Sequence, residues 1–395
     1  MRIGIDVTSL RRHHVGTDNY LKHLLAQLAR ADTEGRYFLF ANLEDRALLR
    51  DTQPSNFSVL PVATRARATR LAFQQAGLPV LASAMRLDVI HSPSQVMPMV
   101  RGRARHLLTV HDLTQLSLPE CHTRLRRSWA FRRAIHASVR RADLIVVPSA
   151  QVGSDVQGAF GVPAERVCTI PEGVSSEFSP AAATGSGPGI PSLGIDGPYA
   201  LFVGSLEPRK GLETLLEAYL SLIASGDTEE QLVIAGKRGW GYRGLLARAR
   251  RPDLRGRVRF AGYVDQAILP ALYANARAFV YPSRAEGFGL PPLEAMASGV
   301  PTVATRTSAL AENLDGAAEL VPVGDAAHLA GALRRVLRDE ALRARLRERG
   351  LVRAARFRWE TTARTTLDRY RALAELGPRG RRQPTSTRRP SVAER

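Results

Sequence analysis

Short apolar, β-branched runs alternate along the chain with longer segments whose apolar residues recur at helical spacing. In the first half the runs are RIGIDV, YFLFAN, FSVLPVA, DVIHSP, LLTVHD, LIVVPS and RVCTIPEGV, and NYLKHLLAQLAR is typical of the helical segments between them. Strands that alternate with helices form mostly parallel sheets covered by helices. The pattern therefore predicts an α/β fold with a doubly wound parallel sheet.

The alternation stops at residues 179–198, SPAAATGSGPGIPSLGIDGP, a composition typical of a linker that buries no face. A second series then runs from YALFVGS through QLVIAG, VRFAGYV, AFVYPS and VPTVAT to AELVPVG, with helices such as LETLLEAYLSLI between. We predict two Rossmann-like domains, residues 1–178 and 199–355, that face a cleft. The cleft is the expected ligand site, because such sheets bind ligands beyond the carboxyl ends of their strands.

The C-terminal part of the chain carries two further segments. Residues 356–376 are predicted to form a helix that returns to the first domain. Residues 377–395 contain six arginines, one glutamate and almost nothing apolar, so we predict a disordered basic tail.

Charge and cysteine content narrow the class of protein. The formal net charge is +19, which favours phosphate-bearing partners such as a nucleotide, a lipid headgroup or a nucleic acid without choosing among them. The two cysteines, Cys121 and Cys168, are not in a paired metal-ligand or redox spacing. No apolar run approaches the roughly 18 residues that span a bilayer. We therefore expect a cytoplasmic protein whose contact with a membrane, if any, is peripheral.

The stretch RAEGFGLPPLEAMASGVPTV places two glutamates, Glu286 and Glu294, directly after the apolar strand AFVYPS. Pro291 and Pro292 suit the first positions of a helix and Gly299 suits its end, which would put Glu294 in the first helical turn. Gly287 and Gly289 allow a ligand close to backbone amides and to the helix N-terminus, which favours anions. Each glutamate also has a simpler interpretation: Glu294 as a helix-dipole partner and Glu286 as a solvated loop charge.

Three other loops follow predicted strands. YALFVGS runs into Gly204, Ser205 and the adjacent cations Arg209 and Lys210 before a helix that starts at Leu212, which suggests a diphosphate site. The loop from Arg11 to Asp18 is expected to face the same cleft from the first domain. His111 follows LLTV, where polar groups converge, although a single histidine is more often structural; His91 is interpreted as part of a structural turn.

These residues together resemble the retaining glycosyltransferases of family 4, which have the GT-B fold. The resemblance rests on Glu286 and Glu294 in EGFGLPPLEAMASGVPTVAT, on VGSLEPRKGLETLLEAY, and on VHD, HSP and FRWETTARTTLDRYRAL. It covers nearly everything before the tail.

The resemblance implies a role for each matching position. Glu294 would bond the nucleotide ribose, Glu286 and His111 would lie at the donor sugar, and Arg209 and Lys210 would neutralise the diphosphate. Ser205 stands where many members carry arginine. The remaining donor contacts would come from residues of three glycine-bearing loops: Gly204, Ser205, Gly287, Phe288, Gly289, Leu290 and Gly16.

The implied reaction moves a hexose from a nucleoside-diphosphate sugar to a glycan or polyprenyl-linked lipid acceptor. The preferred donor is GDP-linked mannose, and a UDP-linked sugar is the other candidate. Cations and helix ends can replace a metal in this fold, and we find no Asp-x-Asp arrangement, so no metal or other cofactor is expected. Retention would follow from attack on the face that the phosphate leaves. A sugar phosphorylase or epimerase of the same fold is the nearer alternative, and a basic nucleic-acid-binding protein is the alternative from another class.

Residues 121–141 hold seven arginines and no acid, with Trp129 and Phe131 among them. Such a surface suits an anionic membrane. The other interpretation is a solvated helix whose Trp129 and Phe131 pack into the core.

Overall fold

A computed structural model of the protein describes residues 1–10, 16–52, 54–100, 102–183, 190–195, 197–249 and 251–379. It contains two parallel sheets. The first has seven strands: β1 (Arg2–Asp6), β2 (Arg36–Asn42), β3 (Phe57–Val62), β4 (Val89–Ser92), β5 (Arg105–Thr109), β6 (Leu144–Val147) and β7 (Val167–Thr169). The second has six: β8 (Tyr199–Val203), β9 (Gln231–Ala235), β10 (Val258–Gly262), β11 (Ala278–Tyr281), β12 (Thr302–Thr305) and β13 (Glu319–Val321).

Helices connect these strands, as the alternating pattern predicted. Those of the first half are α1 (Gly16–Ala31), α2 (Arg67–Ala72), α3 (Leu78–Ala84), α4 (Thr114–Ser117), α5 (Trp129–Arg141) and α6 (Ala150–Phe160). Those of the second half are α7 (Leu212–Ala224), α8 (Tyr242–Ala249), α9 (Leu269–Ala274), α10 (Leu290–Ala297), α11 (Ser308–Leu314), α12 (Ala326–Arg338), α13 (Glu340–Ala354) and α14 (Trp359–Glu375).

Both sheets have the strand order of doubly wound folds. The orders are β3-β2-β1-β4-β5-β6-β7 and β10-β9-β8-β11-β12-β13. In each sheet the order reverses between the first and fourth strands, so the loops that follow those two strands diverge and leave a crevice. The second crevice lies between the loops after β8 and β11.

Each sheet has its own apolar core, and α14 belongs to the first. Trp359, Leu367 and Tyr370 of this helix are buried in the cluster that contains β1 and α1. The Tyr370 hydroxyl also lies 2.6 Å from Nδ1 of buried His91, which is a residue of β4. The end of the chain that follows the second sheet therefore completes the first core.

Two expectations about connecting segments need correction. Residues 179–198 do bury apolar surface, because Ile190 and Ile195 join the core of the second sheet. The predicted basic tail starts with an ordered contact, since Arg379 forms an ion pair with Asp143 at 2.5 Å. The predicted disorder of residues 380–395 lies outside the described residues. No helix in the described part of the chain is long and apolar enough to cross a membrane.

Candidate active site

The crevice of the second sheet brings together the two sequence segments that carry the predicted donor contacts. Arg209 and Lys210 follow β8, and Glu286 follows β11, the neighbouring strand. Glu286 Oε1 lies 2.6 Å from Lys210 Nζ, and Glu286 Oε2 lies 3.1 Å from Arg209 Nη1. The interpretation of Glu286 as a solvated loop charge is thus wrong: Glu286 is a largely buried carboxylate between two cations, because the two loops share one sheet edge.

Two hydroxyls complete the surroundings of Glu286. Ser283 Oγ donates to Glu286 Oε1 at 2.6 Å, and the Tyr281 hydroxyl donates to the same oxygen at 3.1 Å. Burial alone would raise the pKa of Glu286, but the charges of Arg209 and Lys210 outweigh it and lower the pKa to about 2. The carboxylate is therefore ionised at neutral pH.

The two cations respond differently to the same cluster. Burial opposes the charge on both. For Arg209 the nearby carboxylates of Glu286, Asp112 and Glu207 outweigh it and raise the pKa above its ordinary value. For Lys210, burial and the charge of Arg209 together lower the pKa. Arg209 therefore supplies a fixed positive charge in the crevice, and Lys210 is the cation that a bound dianion would stabilise most.

The loop after Glu286 touches the first domain. A side chain at Gly287 would place its Cβ 1.7 Å from the backbone oxygen of His111, so only glycine allows this approach. Ser149 Oγ donates to the Gly287 oxygen at 2.9 Å. Glu312 accepts from the first two amides of α6, Ala150 N and Gln151 N, at 3.0 Å each. The cleft is closed around the predicted site.

Glu294 is buried in α10, but the prediction that it lies in the first turn is wrong. The helix begins at Leu290, because Gly289 adopts φ 95° and forms the N-cap, so Glu294 is the fifth residue and lies in the second turn. The Tyr273 hydroxyl donates to Glu294 Oε2 at 2.9 Å. Burial and the negative charge of Glu172 outweigh this bond and raise the pKa of Glu294 to about 7.

His111 lies on the opposite wall of the cleft. Its Nδ1 is 3.0 Å from Glu172 Oε1, and its Nε2 is 3.2 Å from the Pro93 oxygen. Burial would lower its pKa, but the hydrogen bond and charge of Glu172, together with the charge of Asp112, raise it above 6.5. His91, interpreted from sequence as structural, is fully buried between Tyr370 and Thr109.

The other predicted donor contacts are distributed around this centre. Gly204 and Ser205 lie half-buried at the end of β8, and Phe288 is buried against the ring of Phe357. Leu290 and Glu294 line a small cavity with Trp359. Gly16 is the exposed first residue of α1, and residues 11–15 of the predicted first-domain loop lie outside the described residues.

Two family models match the chain on either side of the cleft. The model described as Glycosyltransferase Family 4 matches residues 15–178, and the model described as Glycosyl transferases group 1 matches residues 191–353. The O-antigen chain mannosyltransferase B of Escherichia coli is 34% identical over 287 residues, which cover 72% of this chain and 74% of that protein. The chain belongs to glycosyltransferase family 4.

Solved structures place this family 4 glycosyltransferase in the GT-B fold. A sucrose-phosphate synthase from Thermosynechococcus elongatus is similar with a TM-score of 0.77 and 23% identity, covering 95% of this chain and 100% of that one. The Anabaena protein HepE, in complex with UDP and glucose, is similar with a TM-score of 0.73 and 21% identity, covering 94% and 100%. These likenesses show that the fold is shared.

Sequence reasoning missed three polar residues of the site in this glycosyltransferase. Tyr281 and Ser283 were included only as parts of the strand run AFVYPS, and Glu172 only as part of RVCTIPEGV. A signal for all three was available, because each lies at or just beyond the carboxyl end of a predicted parallel strand.

Among the described residues, no group of three or more His, Cys, Asp or Glu side chains is placed to hold a metal ion.

Residues 121–141 were interpreted either as a membrane-binding surface or as a helix whose Trp129 and Phe131 pack into the core, and the position of Trp129 bears on this choice. Trp129 is 71% exposed, so its predicted packing into the core is wrong, whereas Phe131 is half-buried against the first domain. Only Ile135, Ser138 and Val139 of α5 are buried. The N-terminal half of this helix therefore projects from the glycosyltransferase, with Arg133 stacked on the Trp129 ring at 4.6 Å.

Proposed function

We propose that this glycosyltransferase moves a hexose, with mannose as the preferred sugar, from a nucleoside-diphosphate donor to a glycan or polyprenyl-linked acceptor, and that the anomeric configuration is retained. The observation that carries the proposal is the cluster of Arg209, Lys210 and Glu286 at the crevice of the second sheet. Two cations beside an ionised carboxylate provide what a diphosphate bonded to a sugar requires.

The chemistry of transfer explains this arrangement. When the glycosidic bond breaks, negative charge develops on the diphosphate and positive charge on the sugar ring. Arg209 and Lys210 are placed to stabilise the diphosphate, and the carboxylate of Glu286 is placed to orient the sugar. Lys210 is held by Glu286 and by the Tyr281 hydroxyl at 2.6 Å each, so little rearrangement is needed when the donor binds.

The relatives support a sugar-nucleotide donor and leave two bases to compare. The Escherichia coli relative is named for mannosyl transfer, which favours mannose, whereas the Anabaena structure holds UDP and glucose. Glu294 is the residue that we assign to the ribose. That contact does not depend on the base, so the base has to be found by experiment.

The first experiment measures thermal unfolding with GDP, UDP and ADP, alone and as sugar conjugates. A ligand at 100 times its Kd stabilises the folded protein by about 2.7 kcal/mol, which gives a clear rise in Tm. We expect one base to raise the Tm, and Glu294→Ala to reduce that rise. Equal effects of all three nucleotides in wild type and variant would contradict the assignment of Glu294.

A second experiment identifies the products. Proton NMR of the product formed from an α-linked sugar nucleotide should show an α-linked glycoside and free nucleoside diphosphate. A sugar 1-phosphate formed with inorganic phosphate would indicate a phosphorylase, and an altered sugar without acceptor would indicate an epimerase. Binding to nucleic acid that disappears near physiological salt would be nonspecific, as expected of any protein with this net charge.

We further propose that the enzyme acts at the inner face of the membrane, where the projecting half of α5 contacts anionic lipid. Residues 123–133 are almost all exposed and include Trp129 and five arginines, with no acid to offset them. An exposed tryptophan beside arginines suits the boundary between lipid headgroups and acyl chains. The surface starts just after Cys121, whose sulfur lies 3.0 Å from Arg284 Nη1 near the donor loop.

Vesicle co-sedimentation tests this contact. We expect binding to vesicles with phosphatidylglycerol and weak binding to neutral ones. Trp129→Ala and the double variant Arg132→Gln, Arg133→Gln should each reduce it, while Arg364→Gln, an exposed arginine of α14, should not. Equal binding by all variants would place the contact elsewhere.

A further inference from the structure

We propose that Glu172 is a positioning residue that holds the His111 imidazole in its doubly protonated form and in one orientation on the wall of the cleft. That a fixed cation here assists transfer rests on the proposed function. The positioning itself can be tested without any substrate.

The proposal rests first on the hydrogen-bond partners of the two ring nitrogens. Nδ1 faces the carboxylate of Glu172 at 3.0 Å, and Nε2 faces the backbone oxygen of Pro93 at 3.2 Å. Both partners can only accept while Glu172 is ionised, so both ring nitrogens must donate, and only the imidazolium has two N–H groups. The Tyr20 ring packs edge-on at 4.7 Å and limits rotation of the imidazole.

The backbone that carries Glu172 is held on both sides by the segment that enters α14. Thr362 Oγ1 donates to the Pro171 oxygen at 2.7 Å, and Val174 N donates to the Phe357 oxygen at 3.0 Å. A Cβ at Gly173 would lie 2.2 Å from Trp359 N, so this position has to be glycine. Glu172, which is 6% exposed, is thereby fixed in position toward His111.

Glu172 is the strongest of the groups that favour the cation. Burial of His111 acts against protonation, and the bond and charge of Glu172 are the largest effects that oppose burial, followed by the charge of Asp112 and the Pro93 oxygen. Asp112 in turn faces Arg209 across the cleft. On the remaining sides, His91 interacts with His111 from β4, and Glu294 faces Glu172 from α10. Neither of these supplies a second acceptor for the ring.

The position of the His111 imidazolium on the cleft wall fits a role in the proposed transfer. The backbone oxygen of His111 lies against Gly287, the residue after Glu286, so the residue that carries the imidazolium contacts the donor loop through its backbone. A positive charge fixed on this wall of the cleft would stabilise negative charge that develops on a departing diphosphate. Without Glu172 the ring would lose its proton at a lower pH, and Nδ1 would have lost its acceptor.

NMR titration of the histidine rings tests the protonation directly in the free enzyme. His111→Gln identifies the resonance. We expect wild-type His111 to titrate above 6.5, Glu172→Gln to lower that pKa by about one unit or more, and Glu172→Asp to restore part of it. Glu165→Gln, an exposed glutamate of the same domain, is the matched control and should change nothing. An unchanged His111 pKa in Glu172→Gln would overturn the proposal.

The pH profile of kcat then tests the consequence. In Glu172→Gln the fall of kcat toward high pH should begin at a lower pH, giving roughly a 10-fold loss at pH 8 and nearly normal kcat at pH 6. A loss that is equal at every pH and accompanied by a lower Tm would show a merely structural role. Failure of all sugar nucleotides as donors would count against the proposed function, whereas the titration would still decide the positioning.

Discussion

Glu286 and Glu294 lie eight positions apart in one loop and helix, and both side chains are largely buried, yet their surroundings are opposite. Glu286 faces two cations and two hydroxyls, and its pKa falls to about 2. Glu294 faces one hydroxyl and another carboxylate, and its pKa rises to about 7. The residue type is the same, and the neighbours supplied by other strands and helices decide the charge.

The difference suits two tasks. Under the proposed function, an ionised Glu286 would keep Arg209 and Lys210 in place before the donor arrives. Glu294 is poised between its two forms at neutral pH, and ribose hydroxyls that donate to it would favour the carboxylate. Donor binding should therefore release a proton below about pH 7, which would not happen if Glu294 were already ionised.

Removing the charge of Glu286 should have the largest effect on stability and activity. In Glu286→Gln, Arg209 and Lys210 lose their shared partner, and breaking a buried ion pair costs about 3–5 kcal/mol of unfolding free energy. We also expect kcat to fall by roughly 10²–10³-fold, with a smaller change in the KM of the donor. Chemical denaturation and initial rates measure both. A variant as stable and active as wild type would remove Glu286 from the site.

Gly287→Ala tests the contact that closes the cleft beside Glu286. Its methyl group would lie 1.7 Å from the His111 oxygen, so the two domains must separate. A displacement of about 1 Å at a reacting centre can lower kcat about 10²-fold. Gly244→Ala in α8, where a methyl group meets nothing within 4 Å, is the control and should retain activity. Similar rates for both variants would show that closure is not needed.

The same charge removal at Glu294 should have the opposite effect on stability. Folding raises the pKa of Glu294 above its ordinary value of 4.5, so the cost of burying the carboxylate is absent below pH 4.5 and grows as the pH rises toward about 7. Glu294→Gln should therefore stabilise the free enzyme by about 2 kcal/mol at pH 8 and by little at pH 4.5. Denaturant unfolding at the two pH values would reveal a wrong sign immediately.

The smallest effect concerns the Tyr273 hydroxyl, which donates a hydrogen bond to Glu294. Tyr273→Phe removes the bond that lowers the pKa of Glu294, so the pKa should rise further. The pH at which the KM of the donor improves should move upward with it, at a cost in stability of about 1 kcal/mol. In a Glu294→Gln background the pH shift should vanish, because there is no carboxylate left to titrate. A shift that persists there would come from another group.

The fold could be predicted from the sequence because a buried parallel strand is apolar on both faces. Each of the apolar runs identified from RIGIDV to AELVPVG contains or overlaps one of the strands β1 to β13. The prediction that residues 179–198 bury no face was wrong, because it rested on the average composition of the segment. Ile190 and Ile195 pack into the core of the second sheet. In the structure, the adjacency of β8 and β11 places Arg209, Lys210 and Glu286 beside one another.

The charge states could not be predicted, because they depend on residues far away in the sequence. Tyr273 and Glu172, which act on Glu294, come from α9 and from the end of the first domain. The pattern of α10 alone placed Glu294 near a helix N-terminus, whose dipole would favour its charged form. Burial, aided by the charge of Glu172, outweighs both that local effect and the Tyr273 hydrogen bond, so the pKa of Glu294 is raised.

Helix α14 also has a consequence for synthesis of the chain on the ribosome. The His91 ring needs the Tyr370 hydroxyl, which is separated from it by 279 residues. At roughly 5–20 residues per second, translation reaches Tyr370 only some tens of seconds after His91. During that interval the nascent first domain exposes the apolar groove that α14 later fills, so its completion depends on a helix that is synthesised after the whole second sheet.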